Sequence, residues 1–156
     1  MKTIQILSLI VAIFLLSACK TTKVGQQNPQ DLTDLKKAVN QLVDCLNQRD
    51  EACVTRLYAK DFESYSPLIE FSSVEQLVAK TISNFENNQF QVSINIIDLE
   101  VGTHLAYVVL EWELMEQRAD GVWLSLLLEK RLDLWKKNPK LGWQLQRSLF
   151  YKPKFY

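Results

Sequence analysis

The run LAYVVLEWELMEQRADGVWLSLLLEKRLDLWK, residues 105–136, decides the fold. From Ala106 onward its residues alternate: Ala106, Val108, Leu110, Trp112 and Leu114 form one set, Tyr107, Val109, Glu111, Glu113 and Met115 the other. A period of two marks a half-buried strand, because successive side chains of an extended chain point to opposite faces. Ala119-Asp120-Gly121 then supplies turn chemistry, and a second long strand runs from about Val122 to Lys136. Its leucines, Leu124, Leu126, Leu128, Leu132 and Leu134, share one side. The pair reads as an antiparallel hairpin.

The pattern extends on both sides of this hairpin. Val92, Ile94 and Ile96 alternate ahead of the turn Val101-Gly102-Thr103. After Asn138-Pro139-Lys140, the residues Trp143, Leu145, Leu149 and Tyr151 share a face of a last strand. Upstream of Asn88 the period lengthens. Leu32, Leu35, Ala38, Val39, Leu42, Val43 and Leu46 recur at threes and fours, the stripe of a helix whose N-cap is read as Asp31. Asp50 reads as the cap of a short second helix containing Val54 and Leu57. An irregular piece around Pro67 follows, then Ser72-Ser73-Val74-Glu75, a capping box if Ser72 is the cap. That box opens a third helix with Leu77, Val78, Ile82 and Phe85 on its apolar face. Helices followed by long strands predict an α+β domain, with N-terminal helices packed on one face of a curved antiparallel sheet.

The N-terminus carries an address. Lys2 is followed by an apolar run, Ile4 to Leu16, broken only by Gln5 and Ser8. This is the layout of a secretory signal peptide, short for a span of roughly 20 residues. Leu16-Ser17-Ala18-Cys19 resembles a bacterial lipobox, in which the cysteine sulfur receives diacylglycerol and becomes the first mature residue. Residues 1–18 are thus read as a lipoprotein signal peptide, 19–30 as a flexible tether after the lipidated Cys19, and 31–156 as the domain. Lys20, where an aspartate would favour retention at the inner membrane, points to the outer membrane and the periplasm. Cleavage leaves 138 residues with 17 basic against 18 acidic side chains. That balance, without a basic cluster, argues against nucleic acid as a partner. The membrane partner is reached through the lipid.

Cys45 and Cys53 sit near the end of one helix and the start of the next, eight apart. Antiparallel helices joined by a tight turn bring such positions together. In an oxidising compartment they are expected to form a disulfide. Two cysteines and a distant histidine do not make a metal site, and no cofactor is implied.

The order of these elements resembles the nuclear transport factor 2-like fold in its SnoaL-like branch. The resemblance is carried by Leu57-Tyr58-Ala59-Lys60-Asp61-Phe62, by Ser73-Val74-Glu75-Gln76-Leu77 and by Gly102 with Ala106-Tyr107-Val108. Arg131-Leu132-Asp133-Leu134-Trp135-Lys136, Gly142-Trp143-Gln144-Leu145 and Ser148 complete it. It implies a cone-shaped α+β barrel whose open end, lidded by helices, forms a pocket. Catalytic members place a carboxylate there, often with a histidine. This chain departs from that pattern, because its one histidine, His104, falls at a predicted turn.

Strand parity then selects pocket candidates. Lys130 interrupts the leucine row of its strand and Arg147 the Trp143/Leu145/Leu149/Tyr151 row. Either the interior is wet and cationic, suited to an anionic ligand, or each cation is paired with a carboxylate such as Asp61, Glu63 or Glu70. Lys130, Arg147, Trp112, Trp143, Tyr151 and Tyr58 are the candidate pocket residues, with none assigned a catalytic role. The same parity puts Glu111, Glu113, Glu129, Arg131 and Asp133 on the solvated face, where Trp135 and Tyr107 would mark a homodimer surface. The functional expectation is a lipid-anchored envelope protein whose cone binds a small molecule or a protein partner without catalysis. Two alternatives stand beside it. One is an isomerase or cyclase using a pocket carboxylate, favoured by an unpaired acid in an apolar pocket. The other is a structural envelope subunit, favoured by a cavity closed by Trp112, Trp143 and Phe85.

Overall fold

The computed structural model describes residues 28–65 and 71–155, with side chains through Tyr151. Helix α1 spans Pro29–Gln48, α2 Glu51–Leu57 and α3 Val74–Asn88. The strands are β1 Tyr58–Tyr65, β2 Phe90–Val101, β3 Leu105–Gln117, β4 Trp123–Asn138 and β5 Gly142–Phe155. Cys19, the signal peptide and most of the tether lie outside the described residues.

Helix α1 begins three residues before the expected start. Asn28 is its N-cap, accepting from the Gln30 N–H at 3.0 Å, and Pro29 occupies the first helical position. Proline suits that position because its missing N–H would be unsatisfied there anyway. Asp31 is therefore not the cap; its carboxylate meets the Lys137 ammonium. Arg49 closes α1 in the left-handed region (φ 58°), and the Asp50 N–H bonds back to Cys45 O at 2.9 Å. Asp50 then caps α2 by accepting from the Cys53 N–H at 2.9 Å. This tight reversal brings the Cα atoms of Cys45 and Cys53 to 5.8 Å, and the two are disulfide-bonded. Ser73, not Ser72, caps α3, while the Gln76 amide oxygen accepts from the Ser72 N–H at 2.7 Å.

The five strands form one sheet in the order β1-β5-β4-β3-β2. The neighbours from β2 to β5 are antiparallel, as expected, but β1 pairs parallel with β5. The sequence pattern shows no strand at β1, where Lys60, Asp61 and Glu63 dilute the β-forming residues; it holds its place as an edge. The helices pack on the concave face, and their stripes bury Leu35, Leu42, Val54, Val78 and Phe85 against Val108, Leu110, Trp135 and Leu145. At the free edge of β2, the Asn47 side chain donates to Val92 O (2.9 Å) and accepts from the Val92 N–H (2.8 Å).

Two single-residue irregularities decide which side chains enter the cone. Next to the β3–β4 turn, Met115 pairs with Ser125; beyond it Leu114 pairs with Leu127, so Leu126 is an extra residue. Because side chains alternate with period two, one inserted residue exchanges the faces of everything that follows. Without it Leu128 and Lys130 would face inward. With it, Glu129 lies opposite Trp112 and Arg131 opposite Leu110, on the concave side. Strand β5 repeats the device at Gln146: Leu145 pairs with Trp135, but Arg147 pairs with Leu134.

Candidate functional site

The parity exchange overturns the expected face of β4. Glu129, Arg131 and Asp133 are buried on the concave side, and Trp135 is fully buried in the core, not at a dimer surface. Tyr107 stays on the convex side, donating its hydroxyl to Asp98 at 3.1 Å. Glu111 and Glu113 also face outward, accepting from Asn95 and Ser93.

Of the pocket candidates, Tyr58 and Trp112 line the cone cavity. Trp143 is buried, but it lies beneath the β4–β5 turn with Lys137 5.8 Å from its ring, and it does not line that cavity. Lys130, Arg147 and Tyr151 are exposed on the convex face. Arg147 pairs with Glu63 at 3.0 Å and Lys130 with Glu111 at 3.8 Å, so neither makes the interior cationic. The Gln146 insertion is the cause: it turns Arg147, Leu149 and Tyr151 outward and Ser148 and Phe150 inward. His104 is exposed in the β2–β3 turn, and its carbonyl accepts from the Lys137 N–H.

The cavity has a volume of about 240 Å³. Leu77, Phe85 and Thr81 of α3 cover it, Phe62 and Ser64 of β1 form one wall, and Trp112 and Leu114 of β3 the other. Its polar end is built by β4 and β5. The Arg131 guanidinium is sandwiched between the Trp112 ring at 4.3 Å and the Phe150 ring at 4.6 Å. Arginine suits this place because its flat, weakly hydrated cation stacks on aromatic faces. Its Nη2 donates to Ser148 Oγ at 3.0 Å, and Ser148 donates in turn to Asp133 Oδ1 at 2.6 Å. Asp133 Oδ1 also lies 3.5 Å from Arg131 Nη2. Burial pushes the Asp133 carboxyl up, and the opposing pull of Arg131 and Ser148 does not cancel it.

Glu129 differs from Asp133. It is 6% exposed, lines the cavity and makes no hydrogen bond or ion pair among the described residues. Burial raises its pKa to about 7; Arg131 pulls the other way and Asp133 adds to the rise. Near neutral pH both protonation states are therefore populated, the condition for giving and taking a proton at one position. Tyr58, on the same lining, has its phenol pushed up by burial and stays a hydrogen-bond donor. The sequence displayed Glu129, Arg131 and Asp133 as charged residues on an alternating strand. What it lacked was a signal for the inserted Leu126. Among the described residues no group of three metal-ligating side chains assembles.

No family model matches the chain, and no curated sequence matches it. Solved structures do. A conserved protein from Planctomyces limnophilus superposes with a TM-score of 0.69 at 15% identity, over 81% of this chain and 100% of that one. A nuclear transport factor 2-like protein with a cystatin-like fold from Novosphingobium aromaticivorans gives 0.67 at 12%, over 78% and 80%. A ketosteroid isomerase-like protein from Erwinia carotovora atroseptica gives 0.61 at 18%, over 81% and 100%. Identities this low speak for architecture alone, and on that architecture the chain has the nuclear transport factor 2-like fold, a helix-lidded cone closed by a curved five-stranded sheet.

Proposed function

We propose that this is a lipid-anchored protein of the bacterial envelope whose cone takes up a small, largely apolar molecule and exchanges a proton with it through Glu129. The observation that carries the reading is a buried carboxyl with a pKa of about 7, without a hydrogen bond or ion pair among the described residues, on a mainly aromatic and aliphatic cavity whose polar end is Arg131. In its ionised form Glu129 takes a proton from a carbon or oxygen acid held against Trp112 and Phe85. Tyr58 donates to the oxygen on which negative charge collects, and the same carboxyl, once protonated, returns the proton elsewhere on the molecule. This is isomerase- or cyclase-type chemistry, and the resemblance to a ketosteroid isomerase-like structure supports its class.

Deuterium exchange into a small enolisable ketone such as 2-indanone, followed by proton NMR, tests the reaction. The rate should rise with pH through an inflection near 7, and Glu129→Gln should lower it roughly 10²–10⁴-fold. Saturation-transfer signals from the ketone without catalysed exchange would replace the reading with a binding-only cone. The anchor is tested separately by palmitate labelling, which Cys19→Ala should abolish.

The convex face supports a second, compatible reading, a homodimer through the sheet. Leu132 is 36% exposed and Leu149 39%, side by side in register and flanked by the Lys130–Glu111 and Arg147–Glu63 pairs. Analytical ultracentrifugation of Leu132→Glu against the parent chain tests it. A monomeric parent removes it.

A further inference from the structure

One end of the domain concentrates cations. Two adjoining grooves share Arg56, Lys137 and Leu141, and between them they are lined by Lys37, Lys60, Lys136 and Lys140 as well. Asp34, Asp61 and Glu75 are the acids on the same linings. Lys137 is engaged by Asp31, and Lys136 reaches Asp61 only at 4.0 Å. Lys37, Arg56, Lys60 and Lys140 are exposed and make no ion pair among the described residues. At the tip of the β4–β5 turn, beside Lys140, Leu141 is 52% exposed.

The same end receives the chain from the N-terminus. The Asp31–Lys137 pair fixes the start of α1 beside this turn, and the Lys137 N–H bonds to His104 O, which brings the β2–β3 turn alongside. Helix α1 is 20 residues long, so its far end, where Asn47 meets Val92, lies about 30 Å away. Eight residues separate Cys19 from Asn28, a reach of at most about 30 Å.

We propose that this end of the domain docks on an anionic bilayer surface, with Lys37, Arg56, Lys60 and Lys140 over the lipid phosphates and Leu141 at the headgroup boundary. The inference rests on the lipid anchor at Cys19, whose tether enters the domain at this end and keeps it within about 30 Å of the membrane. Basic side chains next to an anionic leaflet, with an apolar residue among them, are how a surface gains affinity for such a bilayer. Docking this way turns the β3–β4 turn, where Val122, Trp123 and Leu124 are exposed, toward the aqueous side.

The test uses the full lipidated chain in vesicles of phosphatidylcholine with or without phosphatidylglycerol. A nitroxide is attached at Leu141→Cys or at Val122→Cys; with Cys45 and Cys53 disulfide-bonded, the introduced thiol is the one to label. Collision with a water-soluble nickel complex is then read by electron paramagnetic resonance. The label at 141 should be shielded only when phosphatidylglycerol is present and released by high salt, while the label at 122 stays accessible throughout. Each basic residue near an anionic surface contributes about fivefold to partition, so Lys37→Glu/Lys60→Glu/Lys140→Glu should weaken docking at least about a hundredfold and free the label. Equal accessibility at 141 and 122, or shielding indifferent to salt and to the triple variant, overturns the docking while the anchor stands. Shielding at 122 instead would assign the membrane contact to the β3–β4 turn and overturn it too. Failure of the chain to float with neutral vesicles removes the anchor, and the docking with it.

Discussion

Replacing Glu129 by glutamine should make the protein more stable at alkaline pH and leave it nearly unchanged at acidic pH. The magnitude follows from the carboxyl's position. In the unfolded chain it titrates at its ordinary value of 4.5; in the cone burial holds it protonated up to about 7. Below about 4.5 both states carry the proton, and the group costs nothing. As pH rises from there, the unfolded chain ionises while the folded one does not, so the folded state loses relative stability. The loss is complete once pH passes 7. Each unit of difference is 1.36 kcal/mol, so the wild type gives up about 3 kcal/mol over this interval on account of Glu129 alone. Glutamine keeps the volume and, like the protonated carboxyl, both donates and accepts hydrogen bonds, but it has no charge to desolvate. Urea unfolding at about pH 4 and about pH 8 should therefore show Glu129→Gln nearly equal to the parent at the first and up to about 3 kcal/mol more stable at the second, a thermal midpoint higher by roughly 10 °C. Asp133 is shifted in the same direction and persists in both chains, so the comparison isolates Glu129. If the two chains lose stability in parallel between these pH values, Glu129 is solvated or paired, and the proton-transfer reading falls with it.

Three further outcomes are expected. Ser148→Ala removes the hydroxyl that joins Arg131 to Asp133 and should cost about 1–3 kcal/mol in denaturant unfolding, because it leaves two buried charged groups short of a partner. Cys45→Ser/Cys53→Ser should lose roughly 2–3 kcal/mol, the cost of reopening a short loop, and dithiothreitol should reproduce that loss in the parent but not add to it in the variant. Deleting Leu126 should abolish cooperative unfolding and near-ultraviolet circular dichroism. It would turn Trp135 and its neighbours outward and bring Lys130 in, whereas Leu126→Ala, which keeps the residue count, should retain both signals.

The helices and four of the strands were legible because their periods are unambiguous. The stripe from Leu35 to Leu46 and the alternation from Ala106 to Leu114 both face the core as the pattern predicts. The first strand was not, since Lys60, Asp61 and Glu63 suit a solvated edge and carry no apolar period. Tyr58 and Trp112 were placed at the cavity because they precede the register shifts or lie on the strand that sets the reference face. Alternation puts the charged trio of β4 on the solvated face, whereas the structure buries it on the concave side. An inserted residue has no composition of its own: Leu126 sits among leucines that satisfy either parity, and Gln146 among residues that do the same. Where both faces of a strand are partly apolar, alternation tells that there are two sides but not which of them is inside.

The bond pair from Asn47 to Val92 bears on how this sheet behaves in company. An outer strand offers its backbone amides to any other strand that passes. The Asn47 carboxamide occupies both the donor and the acceptor of Val92 at once, as a one-residue imitation of a neighbouring strand. The opposite edge is defended differently, by the charges of Lys60, Asp61 and Glu63 on β1. Polymerisation by strand addition is thereby obstructed at both ends of the sheet. At the β2 end the obstruction depends on α1 being docked, which ties resistance to aggregation to the first helix.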